Sequence, residues 1–174
     1  MSLDLPRIEG LDEEQVLTLV YCRTYEQYVT MLERYRAGVC TFCRLDPVLN
    51  PTLCTLREWS VWENPFPLPH TRHHLVMAPH RHVGPSDQIL SSDFTAMGEL
   101  FGWAQKRFGF TGGGFAMRFG SPKQSAGTVM HLHANIIVPD LTGAVDVTLA
   151  KNPAKVTEQI ARMRGFEQRR LEER

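Results

Sequence analysis

Apolar positions recur along the chain with two different periods, and the switches between them divide it into helices and strands. Over 24–38, "TYEQYVTMLERYRAG", Tyr25, Tyr28, Leu32 and Tyr35 keep helical spacing, with Thr24 placed to cap and Gly38 to stop the helix. "LREWSVWE" (56–63) alternates as a strand does, and the three prolines of "NPFPLPHTR" (64–72) enforce a loop. "HHLVMAP" (73–79) reads as a mostly apolar strand that ends in the turn "PHRHVG". Over 91–110, Phe94, Met97, Leu100, Phe101, Ala104 and Phe108 form the apolar stripe of the most regular helix, closed by Gly109. "GFAMRFG" (114–120), "MHLHANIIV" (130–138) and "VDVTLA" (145–150) read as further strands, the first two separated by the loop "SPKQSAGT". A charged helix over 153–173 closes the pattern. This order predicts an α+β domain, an antiparallel sheet with helices packed on it, spanning 1–174 as a single unit.

Composition narrows the partners. Hydrophobic residues make up 43% and charged residues 22%, the balance of a globular chain. Lys+Arg and Asp+Glu are both 19, so no excess of positive charge exists for a nucleic-acid backbone to neutralise. A small anionic ligand needs only local donors and stays open. No long apolar run predicts a membrane span, and "MSLDLPRIEG" lacks a secretory core, so a soluble, cytoplasmic protein is expected. Four cysteines, at 22, 40, 43 and 54, are too few for a disulfide scaffold, and the Cys40-x-x-Cys43 pair reads first as a metal or redox motif.

One stretch carries the chemistry. In "SAGTVMHLHANIIVP", side chains alternate faces, so Leu132, Ala134, Ile136 and Val138 share an apolar face while His131, His133, Asn135 and Ile137 share the other. A polar row in a strand is either an exposed sheet face or the wall of a binding site. Just before it, Gly127 and Thr128 offer backbone amides and a hydroxyl, the donors that hold a phosphate. A neutral imidazole at His133 can attack phosphorus and form a covalent nucleotidyl intermediate, with fixed donors stabilising the developing charge.

"SAGTVMHLHANIIVP" resembles the signature of the histidine-triad (HIT) superfamily. "CTFC" (40–43) is similar to a Cys-x-x-Cys near the start of many such domains, and "HHLVMAPHRHV" (73–83) to their strand and turn. The three pieces come in the family's order and cover 40–139. The resemblance implies a HIT-like sheet of about five strands with N- and C-terminal helical additions, and a homodimer. It makes His133 the nucleophile toward the α-phosphate of a nucleotide such as a dinucleoside polyphosphate. Thr128 and Gly127 would hold the phosphate and Asn64 the ribose. The third triad position departs from the hydrolases, where it is His; the transferase and phosphorylase branches have Gln, and here it is Asn135. An amide donates to a phosphate oxygen but does not shuttle protons, which leans toward transfer or phosphorolysis. The alternative is a nucleotide-binding sensor or partner-docking module without turnover.

The same resemblance gives Cys40, Cys43, His82 and His131 as ligands of a structural zinc, with His80 the rival for His82. His74 matches a packing position, His70 and His73 are expected at the surface, and Trp59, Trp62 and Trp103 in the core.

Overall fold

The computed structural model describes residues 5–84, 86–150 and 153–173. In chain order its elements are α1 (Glu13–Val20), α2 (Tyr25–Arg36), β1 (Cys54–Leu56), β2 (Trp59–Glu63), β3 (Thr71–Pro79), α3 (Ser91–Phe108), β4 (Gly114–Arg118), α4 (Pro122–Ser125), β5 (His133–Pro139) and α5 (Pro153–Glu172). They fall into two compact units: residues 1–41, 121–130 and 148–174 form a helical one, and 42–120 with 131–147 a sheet one.

The helical unit holds α1, α2, α4 and α5. Asp12 starts α1 with a capping box, accepting from the Gln15 N–H at 2.8 Å while the Gln15 side chain accepts from the Asp12 N–H at 3.0 Å. Periodicity missed α1 because eight residues carry only two turns; the Asp-x-x-Gln cap is the readable signal. Thr24 caps α2 by accepting from the Gln27 N–H, as expected, and Gly38 takes the left-handed conformation just past its end. Tyr28, Met31 and Leu32 of α2 and Val156, Ile160 and Met163 of α5 are buried. Tyr28 donates its phenolic proton to Glu167, joining α2 to α5.

The sheet unit carries five strands in the order β1-β2-β3-β5-β4, every pair antiparallel. This is the α+β architecture predicted, an antiparallel sheet of five strands with helices packed on it. The single strand expected over 56–63 is instead a hairpin, because Arg57 and Glu58 both adopt positive φ and turn the chain in two residues, pairing Leu56 with Trp59. Neither residue is a usual turn former, so the sequence pattern hides the break. β3 starts at Thr71, two residues before the predicted start, and β5 covers 133–139 where 130–138 was expected. The segment 145–150 is no strand: Val147 and Leu149 are exposed, so the alternation buries no apolar face.

One face of the sheet packs against α3. Trp59, Val61, Leu75, Met77, Leu132, Ala134, Ile136 and Val138 close over Ala96, Met97, Leu100 and Ala104 in one buried cluster. Leu132, just before β5, and Ala134, Ile136 and Val138 within it are thus the core set of this stretch, as the alternation predicted. The stripe of α3 is narrower than expected, since Phe94 is 56% exposed. Asp93 fastens the start of α3, accepting from the Leu90 N–H and from the Trp59 indole N–H at 3.1 Å. The opposite face carries a smaller cluster of Trp62, Val76 and Ala78 with Phe42 and Leu45 packed on it. The polar row of β5 belongs to that second face.

Candidate functional site

His133 and Asn135 are 6% and 7% exposed, so the row is no solvated sheet face. Buried polar groups require partners, and each of these has them. The His133 Nδ1 lies 2.7 Å from the His131 carbonyl oxygen. A carbonyl only accepts, so Nδ1 carries the proton and Nε2 keeps its lone pair. Burial above all pushes the His133 imidazole down to about 4, with the Arg118 charge adding to it against the bond to His131. The ring is therefore neutral at pH 7, the state a nucleophilic imidazole needs. The Phe42 ring stands edge-on 5.2 Å from it and 5.1 Å from Trp62, making an aromatic wall beside the imidazole.

Asn135 is held at both ends. Its Oδ1 lies 3.1 Å from His74 Nε2, and its Nδ2 donates to the Ala116 carbonyl on β4 at 3.3 Å. The Leu68 N–H donates to His74 Nδ1 at 3.0 Å, which puts the His74 proton on Nε2 and makes that nitrogen the donor to Asn135. Asn64 Nδ2 approaches the same nitrogen to 3.3 Å, donor facing donor, while its Oδ1 accepts from the Phe66 N–H. His74, read from sequence as packing, is the partner that orients the amide. Arg118 is a second residue that sequence reasoning missed. It pairs in register with His133 on β4 and its charge reaches that ring, but only the strand pairing reveals this.

The predicted metal ligands of this unit also converge. Cys43 Sγ lies 3.3 Å from His82 Nδ1 and 3.5 Å from His131 Nδ1, and the ligand atoms of all three fall within 4.8 Å of one another. His131 Nε2 is 3.0 Å from the Pro79 carbonyl, so the proton sits there and Nδ1 turns its lone pair toward Cys43. Burial, with His82 beside it, lowers the His131 imidazole to about 4 and keeps it neutral, as a ligand must be. One cysteine sulfur and two imidazole nitrogens make a donor set suited to zinc. The rival, His80, is engaged elsewhere: its Nε2 lies 2.8 Å from Ser60 Oγ. His70 is exposed, and the half-buried His73 ring lies tilted against Phe108 with 4.7 Å between centroids.

Three predicted residues, Cys40, Gly127 and Thr128, lie in the helical unit. There the Thr128 carbonyl accepts from the Tyr35 hydroxyl at 3.4 Å, and Gly127 is buried behind the left-handed Ala126 that ends α4.

No family model and no curated protein matches the chain. Solved structures do match. One is called a Hit Like Protein, 16% identical at a TM-score of 0.47, covering 59% of this chain and 100% of that one. A hypothetical protein from Leishmania major is 17% identical at 0.49, covering 72% and 94%. A Zn-bound histidine triad family protein from Mycobacterium smegmatis is 17% identical at 0.47, covering 79% and 99%. These are similarities of chain path at low identity. The chemistry of this chain is argued from its own residues.

Proposed function

We propose that the protein transfers a nucleotidyl group, with His133 Nε2 attacking the α-phosphate of a nucleotide. The observation that carries this reading is the His133 imidazole itself, buried, neutral and turned by the His131 carbonyl so that a bare nitrogen faces away from its anchor. Asn135 would donate to a phosphate oxygen, Gly127 and Thr128 would add loop donors, and Asn64 would meet the ribose. Water, phosphate or another acceptor then releases the nucleoside monophosphate unit.

Zinc fits the donor set. Cys43, His82 and His131 would hold it, with Cys40 as fourth ligand by its Cys-x-x-Cys spacing. With four protein ligands it would be structural, tying the 79–83 turn to the chain entering β5. The nucleophile needs only the carbonyl of His131.

Incubation with dinucleoside polyphosphates and nucleotide sugars, with and without inorganic phosphate, tests the reading by product analysis. Nucleoside monophosphate formed without phosphate identifies a hydrolase, and nucleoside diphosphate formed only with phosphate a phosphorylase. His133→Ala is expected to lower turnover by about a thousandfold or more while the fold persists, as removal of a nucleophile does. Near wild-type turnover in that variant rules His133 out. A second reading, nucleotide binding without turnover, is favoured by Asn135 standing where hydrolases have a proton-carrying His. It predicts binding intact and no product.

A further inference from the structure

The face of the sheet that packs on α3, turned away from His133, carries a cavity with no part in the proposed transfer. It lies where α3 ends, between the start of β3, the end of β5 and the loop leading into β4. Its volume of about 590 Å³ falls in the usual range of small-molecule sites. The half-buried rings of Phe108 and Phe110 and the side chain of Val138 give it apolar walls. Glycine keeps the loop side open, since a Cβ at Gly109 or Gly112 would meet nothing within 4 Å.

The polar side chains on its wall point to one sign of ligand. Arg72 and His73 line it, and no carboxylate does among the described residues. Arg72 is exposed and makes no ion pair among those residues, and neither nitrogen of His73 has a hydrogen-bond partner among them. An imidazole always keeps at least one N–H, so both side chains are donors without an acceptor. The Arg107 guanidinium stands 5.6 Å from the Phe108 centroid and adds positive charge at that ring. The carbonyl end of α3 opposes an anion here, and Lys106 and Arg107 in its last turn offset it.

We propose that this cavity is a second binding site, for a planar aromatic anion. Its ring packs on Phe108 and Phe110, and its carboxylate or phosphate meets Arg72 and His73. The guanidinium holds such a group through two parallel N–H···O bonds, which a neutral or cationic ring cannot accept. Burying the ring against the two phenylalanines supplies the rest of the affinity. His133 and Val138 lie on opposite faces of β5, so this occupant does not displace a nucleotide held at His133.

Probes that share one ring and differ in charge test this. 1-Naphthoate, 1-naphthyl phosphate, 1-naphthalenemethanol and 1-naphthylmethylamine are titrated into the full chain by isothermal calorimetry. The tighter-binding anion is expected to exceed the alcohol by about tenfold or more, the scale of a charge-assisted hydrogen bond, with the amine weakest. Which anion leads, naphthoate or naphthyl phosphate, tells a carboxylate ligand from a phosphate one. Arg72→Gln, a change at an exposed side chain, should bring that anion to within about twofold of the alcohol and leave the alcohol unchanged. Arg72→Lys keeps the charge without the fork and should retain part of the preference. Raised salt should weaken the anions alone, which checks the wild type without any variant. Equal affinity across the charge series, anion binding indifferent to Arg72→Gln, or no binding by any probe overturns the inference. None of these outcomes bears on the role of His133.

Discussion

His74 Nε2 and Asn135 Oδ1, from residues 61 apart in sequence, meet at 3.1 Å across the β3–β5 pairing. The proton on that bond belongs to His74, because the Leu68 N–H already fills Nδ1. One backbone amide in the proline loop thereby sets which way the Asn135 side chain faces.

His74→Phe is expected to free the Asn135 amide to flip, leaving a buried carbonyl unpaired at a cost of about 1–3 kcal/mol. Turnover should fall about tenfold or more, since 1.4 kcal/mol is one decade of rate. His74→Gln keeps a donor and should recover most of the rate at similar stability. Equal rates in the two variants would assign His74 to packing alone. Turnover and urea unfolding of both, side by side, decide it.

Zinc should copurify and be removable. Elemental analysis is expected to find it in the wild type and in His80→Ala, and to find it lost in Cys43→Ser and His82→Ala. Chelation should lower the thermal midpoint, because metal binding to a site absent from the unfolded chain is folding free energy. Loss of metal in His80→Ala with retention in His82→Ala would reverse the ligand assignment.

Gly113 sits at φ +149 with Ile137 O only 2.5 Å from where a Cβ would stand. Gly113→Ala must push β4 from β5 or strain its own backbone, at a cost of about 1–3 kcal/mol. Gly112, with open space around its Cβ position, is the control and should tolerate Ala. Urea unfolding midpoints of the two variants test the difference.

Glu167 gives the helical unit a pH signature. The Arg170 guanidinium, at 2.5 and 2.7 Å, holds its carboxyl below the ordinary 4.5, and the Tyr28 hydroxyl helps. A carboxyl depressed in the folded state stabilises above its unfolded value and loses that contribution as pH falls through the folded one. The stability gap between wild type and Glu167→Gln should therefore be full above pH 4.5 and shrink below it. A gap constant across that range would remove the ion pair from the account.

The reach of the sequence followed the range of the interactions. Leu132, Ala134, Ile136 and Val138 were readable as core because period-two burial is written locally. Cys43 carried a readable Cys-x-x-Cys spacing, whereas His82 and His131 were joined to it only by the family resemblance. The hairpin at Arg57 and Glu58 was not readable, since left-handed backbone at two charged residues is held by the strands on either side. Nor was Arg118 beside His133, because register between strands is a property of the assembled sheet. The segment 145–150 shows the same limit from the other side: its alternation is real, yet Val147 and Leu149 stay exposed and no strand forms.

The His133 ring takes its direction from a main-chain oxygen at position 131, while the ring of residue 131 faces the cysteine-histidine cluster. Every amino acid carries that oxygen. A change of side chain at position 131 therefore takes a nitrogen from that cluster and leaves the oxygen that directs the His133 ring in place.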